Sequence, residues 1–173
     1  MEIEKFRPCE EALEFRAQYK TFKEAWENCP RGDWMLWIAS RLDVNHRKIT
    51  LAKALCAKTV LHLMKDERSR KAVEIAEMYG NNKVNKNQLN AAYIAAAAAA
   101  SDASDASDAA AYAVYTAAAA YAADAYAAAY AADAAADAAA VAADAIVKNQ
   151  KATSDICRKV LTRVVMIKIN KLG

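Results

Sequence analysis

The sequence predicts an all-α protein: a compact single-domain bundle of about eight or nine helices that includes a close-packed, alanine-rich layer. Three observations lead there. Residues 91–147 hold 35 alanines among 57 positions and contain no Lys, Arg, Gly, Pro, Glu, Leu or Phe. Alanine is the best helix former because a helix takes no side-chain entropy from it, and its methyl group lets helices approach closely. Outside this tract, apolar residues recur every three or four positions, the spacing of a buried helix face. Residues able to cap a helix stand in front of several of these runs.

The organisation expected is one domain over 1–173: mixed helices over 1–84, alanine-rich helices over 85–147 and a basic helix over 148–173. Pro8 suits a first helical turn, where Glu10, Glu11 and Glu14 favour the positive end of the dipole. Leu13, Ala17 and Phe22 mark its inward side. Thr21 and Glu24 form a capping box before Ala25 and Trp26, and Cys29-Pro30-Arg31-Gly32 ends that second helix. Asp33 is the expected cap of a third helix with Trp34, Leu36, Trp37, Ile38 and Leu42. Asn45 caps a fourth, whose stripe is Ile49, Ala52, Cys56, Val60 and Leu63. Asp66 opens a fifth, with Val73 and Ala76 inside, stopped at Gly80-Asn81-Asn82.

The alanine region begins near Asn87. As one helix, its 57 residues would run about 85 Å, against a domain diameter of roughly 40 Å. Three or so shorter helices are therefore expected, broken near Ser101–Asp108 and around Ala122–Asp124, where Ser and Asp compete for the backbone. A final helix is expected over Thr153–Ile169, with Ile156, Val160, Val164 and Ile167 facing in. Val164–Ile169 has strand propensity, but no second strand is available to pair with it.

Charge is segregated along the chain. Residues 1–90 carry 17 Lys/Arg against 13 Asp/Glu, a surplus of +4, while 91–147 carry seven Asp and no cation. Residues 148–173 carry seven Lys/Arg and one Asp, or +6, so the net charge of +3 conceals an acidic middle between basic ends. The plainer reading is that the ends pack beside the middle; the sharper one is that a charged surface meets a partner. Cys9, Cys29, Cys56 and Cys157 are too scattered for a zinc motif, which suggests free thiols in a reducing cytoplasm. The start Met1-Glu2-Ile3-Glu4 is not that of a signal peptide, and Asp recurs too often in the tract for a membrane span. A cytoplasmic protein without membrane partner is expected.

On a helix net, Tyr112 and Tyr115 share a face with Asp108. Tyr126, Tyr130, Asp133 and Asp137 share another with Asp144. Tyrosine combines a rigid contact area with a hydrogen-bonding tip, so these residues form the candidate partner-binding surface. The alternative is that Tyr fills gaps while Asp faces water, as the off-stripe Tyr121 and Asp124 suggest. Trp34 and Trp37 stand three apart. They read first as core and second as a stacking platform, with Arg41, His46, Arg47 and Lys48 collecting phosphates. Arg68, Arg70 and Lys71 form a second basic cluster, best read as a solvated surface. Asp133 and Asp137 could hold a cation, but no His joins them. No phosphate loop, nucleophile elbow or Cys-His pair is present. Catalytic residues, metal and cofactor are accordingly expected to be none. Thr116 is the tract's only threonine, which argues against an ice-binding helix.

Glu24–Trp37 (E-A-W-E-N-C-P-R-G-D-W-M-L-W), Leu42-Asp43-Val44, Ala52–Met64 (A-K-A-L-C-A-K-T-V-L-H-L-M) and Asp66–Gly80 (D-E-R-S-R-K-A-V-E-I-A-E-M-Y-G) resemble the immunity-five-like immunity proteins of bacteria and phages. An alanine-rich region and a closing basic helix complete the resemblance over nearly the whole chain. It implies a cytoplasmic protein that neutralises a toxin by binding it, with no catalytic residues to carry over. This chain differs from that pattern in the density of Tyr and Asp in its tract.

Two functions of different class follow as expectations. The first is a non-enzymatic binding protein that blocks a protein toxin or effector through the acidic, tyrosine-bearing face. The second is a phage anti-defence sponge that sequesters a nucleotide immune signal between Trp34 or Trp37 and Arg41, Arg47 or Lys53. A purely structural homo-oligomer is a third, weaker reading, and stable nucleic-acid binding is not expected.

Overall fold

In the computed structural model, residues 4–59, 61–63, 66–102 and 143–171 are described. Among them are seven α-helices and no strand: α1 (Glu10–Ala17), α2 (Phe22–Asn28), α3 (Gly32–Arg41), α4 (His46–Lys58), α5 (Glu67–Gly80), α6 (Lys86–Asp102) and α7 (Ala143–Asn170). The all-α class is as expected, with fewer helices than eight or nine in the described part. The expected breaks and the helices of the central alanine tract lie outside the described residues. So do Val60 and the side chain of Leu63 from the expected α4 stripe.

Local chemistry explains where most helices start. Thr21 Oγ1 accepts from the Glu24 amide at 3.1 Å while Glu24 Oε2 accepts from the Thr21 amide at 3.0 Å, a complete capping box on α2. Asn45 and Asp66 cap α4 and α5 by accepting from the amides of Arg47 and Arg68. Asn85 and Gln88 exchange the same reciprocal pair of bonds at the start of α6. Asp33, in contrast, does not cap α3. The helix begins one residue earlier at Gly32, and the Asp33 carboxylate is gripped by the Arg31 fork at 2.9 and 2.6 Å. Thr21→Ala is expected to cost about 1 kcal/mol, seen as a melting temperature lower by about 3 °C. An unchanged melt would mean that α2 is held by packing alone.

Two helices end in the same way. In α3 the Val44 amide donates to Ala39 O and the Asp43 amide to Ser40 O, with Asp43 at φ 50°. In α5 the Lys83 amide donates to Met78 O and the Asn82 amide to Tyr79 O, with Asn82 at φ 60°. These are Schellman closures with Asp and Asn in the left-handed position that glycine usually fills. Gly80 is therefore not the left-handed stop. It lies inside the last turn of α5, where a Cβ would come within 2.5 Å of Leu51 Cβ and 2.8 Å of Leu51 Cα.

α4 is the central element. It packs along α5 on one side and α7 on the other, while α6 lies against α5 and α3 and α2 lie against α7. The main core joins Trp26, Met35, Leu36, Ile38, Ile49, Ala52, Cys56, Cys157, Leu161 and Val165. A second cluster joins Ala54, Ala76, Tyr79, Val84 and Leu89 between α4, α5 and α6. On α5, Ser69, Ala72, Ala76 and Gly80 are all buried at helical spacing. This small-residue stripe gives α4 and α5 the close approach that the sequence suggested for the alanine tract.

The inner face of α7 differs from the expected one, and the helix starts at Ala143 rather than Thr153. Its buried positions are Asn149, Thr153, Ser154, Cys157, Leu161 and Val165, and all but Ser154 repeat every four residues. Ile156, Val160 and Val164 are only half-buried, and Ile167 is 47% exposed. The cause is the close approach of α3 and α4. Gly32 leaves room for Thr153, whose Oγ1 would lie 2.5 Å from a Cβ there, and the Thr59 hydroxyl reaches the Asn149 side chain at 2.8 Å. Small and polar residues thus occupy the position that hydropathy alone assigns to Ile and Val. Ala17, expected to face inward on α1, is exposed.

Candidate functional site

An aromatic cleft opens between α1, α2 and α3. Each helix contributes residues from one face: Ala12, Phe15 and Arg16; Phe22, Ala25 and Trp26; Trp34, Met35, Trp37 and Ile38. Pro8 and Cys29 complete the lining of a partly open, almost wholly apolar space of about 60 Å³, below the roughly 300–1,000 Å³ of drug-sized ligand pockets. All three tryptophans of the chain stand in this lining.

The rings hold one another in tilted and stacked arrangements. Phe15 lies 5.8 Å from Trp34 at 54°, and Phe22 lies 6.2 Å from Trp26 at 27°. Trp26 is anchored from behind, its Nε1–H donating to Thr162 Oγ1 of α7 at 2.8 Å. Two guanidinium groups sit on the tryptophan faces: Arg31 at 5.0 Å from the Trp34 centroid and Arg41 at 5.8 Å from that of Trp37. Arg31 is further fixed by Asp33. Arg16 donates from Nη1 to Tyr19 O at 2.6 Å, but its buried Nε has no hydrogen-bond partner. The Cys29 thiol donates to Arg31 O at 3.4 Å, and burial pushes its pKa up to about 11. It is therefore a protonated, unreactive part of the lining at neutral pH.

Of the ligand-binding residues expected from sequence, Trp34 and Trp37 are brought together in the cleft, and Arg41 stacks on Trp37. Arg47 is not with them. Its guanidinium lies 4.0 Å from the Tyr79 ring centroid and donates to the carbonyls of Tyr79 and Val84, tying α4 to the α5–α6 turn. His46 joins the same cluster through Tyr79 Oη at 3.3 Å. Lys53 is buried in α4, where desolvation lowers its pKa to about 8, and it does not line the cleft. Tyr112, Tyr115, Tyr126, Tyr130, Asp133 and Asp137 lie outside the described residues. Phe15, Arg16, Phe22 and Trp26 were missed as site residues. The available signal was the aromatic pair Phe22 and Trp26 at a spacing of four in α2, like Trp34 and Trp37 at three in α3.

Other titratable clusters have structural duties. Arg68 holds Asp66 at 2.8 Å and keeps its carboxyl below the usual range. Cys157 lies beside Cys56, which together with burial raises its pKa well above that of a free thiol. No group of three or more His, Cys, Asp or Glu among the described residues is arranged to hold a metal ion. No described helix is long and apolar enough to cross a membrane. The exposed face of α7 carries Lys148, Lys151, Lys159 and Arg163 at spacings of three, eight and four, with Asp155 between them. Comparison with known proteins finds no matching family model, curated protein or solved structure.

Proposed function

We propose that the protein is a non-catalytic binding protein that neutralises a protein toxin or effector by direct contact. In this reading the tract 91–147 presents its carboxylates and tyrosines to a basic surface of the partner. The observation that carries it is the state of the cations on α7. Lys148, Lys159 and Arg163 are exposed and make no ion pair among the described residues. Of the other cations on this helix, Arg158 pairs with Asp155 and Lys168 with Asp43. Opposite charges kept apart along one chain favour rapid association with a complementary partner. The resemblance of residues 21–80 to immunity-five-like proteins fits the same reading.

The test is capture and rescue. The tagged chain is expected to retain one protein from a lysate of the source cells at low salt and to release it as salt rises. Co-expression should then relieve the growth arrest caused by that protein. A variant combining Tyr126→Ala, Tyr130→Ala, Asp133→Asn and Asp137→Asn should lose both effects at an unchanged melting temperature. Absence of any retained protein at low salt overturns the reading, as does full rescue by the variant.

A further inference from the structure

We propose that Cys56 and Cys157 form an oxidation site, two buried thiols that hydrogen peroxide joins into a disulfide linking α4 to α7. The site is separate from the acidic tract and does not rest on the toxin reading. All four cysteines of the chain are free; Cys9 is exposed and the other three are buried. Cys56 and Cys157 belong to the main core, at 6% and 0% exposure.

The geometry brings the pair together from two helices. The Cys56 thiol donates to Thr153 O at 3.8 Å. Thr153 stands one turn before Cys157, and residues four apart on a helix lie one above the other on the same face. One turn further along the same contact, Thr59 Oγ1 donates to Asn149 Oδ1 at 2.8 Å, which fixes the register of α4 against α7. Ala52, Cys56, Thr153 and Cys157 are all small and buried, and so favour a close approach of the two helices. A disulfide needs that closeness, since its Cα atoms stand roughly 4.4–6.8 Å apart. Cys157 lies directly beside Cys56 and also donates to Gly32 O at 3.6 Å. The Cys29 thiol is turned to Arg31 O at 3.4 Å, in the link between α2 and α3.

The chemistry balances with peroxide as the oxidant. Cys56, the less shielded of the two, gives up its proton, and its sulfur attacks one peroxide oxygen. The O–O bond breaks, leaving a sulfenic acid on Cys56 and releasing one water. The Cys157 sulfur then attacks the Cys56 sulfur, the S–O bond breaks, and the hydroxyl leaves with the Cys157 proton as a second water. Peroxide is small and uncharged, so the shielding that excludes a bulky thiol such as glutathione hinders it less. Burial and the neighbouring thiol hold Cys157 in its protonated form, so the step is slow at neutral pH and quickens as pH rises. The new bond closes a covalent loop that contains α5, α6 and the tract, and thereby removes many conformations from the unfolded chain.

The test treats the folded, full-length protein with excess peroxide, caps the remaining thiols in denaturant and digests without reduction. Trypsin releases Cys56 in Ala54–Lys58 and Cys157 in Ala152–Arg158. These two peptides are expected as one linked species lacking two hydrogens, with exposed Cys9 as the reference for complete exposure to oxidant. The oxidised protein should melt about 10 °C higher and return to its starting value on reduction. Cys56→Ala should lose the linked species and the shift, whereas Cys29→Ala should keep both. Cys9 fully oxidised with Cys56 and Cys157 still capped as thiols overturns the proposal, as does linkage of either to Cys29. An oxidised protein that melts no higher than the reduced one also overturns it, because the bond would then not join α4 and α7 in their native positions. Neither result depends on the folding of a variant.

Discussion

Replacing Gly80 by alanine is expected to lower the melting temperature by about 6 °C, although alanine is the better helix former. Two effects oppose each other. Helix propensity favours alanine by about 1 kcal/mol within a helix. Against this, the new methyl would lie 2.5 Å from Leu51 Cβ, 2.8 Å from Leu51 Cα and 3.0 Å from Leu51 N. Two of those atoms are backbone, so no rotamer change removes the overlap and α5 must move away from α4. Overpacking of this kind costs about 3 kcal/mol at the upper end of its usual range, and the propensity gain does not offset it. At about 3 °C per kcal/mol for a chain of this size, the shift is large enough to read in a single melt. Leu51→Ala should not rescue Gly80→Ala, because the Cα, N and Cβ of residue 51 all remain. A higher melting temperature for Gly80→Ala would contradict the close approach of α4 and α5.

That glycine also shows which parts of the fold could be read from sequence. Gly80 ends its helix as expected, but the left-handed residue is Asn82, and the glycine answers to Leu51, a residue 29 positions earlier in the numbering. Caps were legible at Thr21, Asn45 and Asp66 because donor and acceptor lie within three residues of each other. Facing surfaces were less so. On α7 the pressure of Gly32 against Thr153 selects small side chains, so a search for Ile and Val finds the flank of the buried face instead of its centre.

The cleft follows the same division. Trp34 and Trp37 were marked by spacing within one helix, whereas Phe15, Arg16, Phe22 and Trp26 join them only through the packing of α1 and α2. Arg47 was assigned to phosphates on its charge and its neighbours in sequence. In the fold, the carbonyls of Tyr79 and Val84 and the Tyr79 ring offer it a closer acceptor set. Cations are drawn to the carbonyl end of a helix by its dipole, and α5 ends at that point. Sequence reading weighs a charge by its type, and the structure weighs it by the acceptors within reach.

Lys53→Met is expected to stabilise the protein at pH 7 and to lose that advantage in alkali. Lys53 is 6% exposed, and burial lowers its pKa from 10.5 to about 8. At pH 7 both the folded and unfolded forms hold the proton, so the folded protein bears the cost of a buried charge. A shift from 10.5 to about 8 corresponds to about 3 kcal/mol. Between these values the unfolded chain binds the proton and the folded one does not, so this contribution to stability rises with pH. Above 10.5 both forms are neutral and the cost is gone. Cys29 acts in the opposite direction over an overlapping window. Its thiol titrates near 9 when unfolded and about 11 when folded, so stability falls as pH rises through that interval. The pH profile of the unmodified protein therefore mixes both groups, but the difference between it and Lys53→Met cancels the thiol. Methionine keeps the length of the stem and removes the ammonium, the kind of exchange that a buried charge with no ion pair among the described residues tolerates well. The variant should melt about 8 °C higher at pH 7, with the gap closing between pH 8 and 10.5. A gap that stays constant with pH, or a variant that melts lower at pH 7, would show that the ammonium is not the source of the cost.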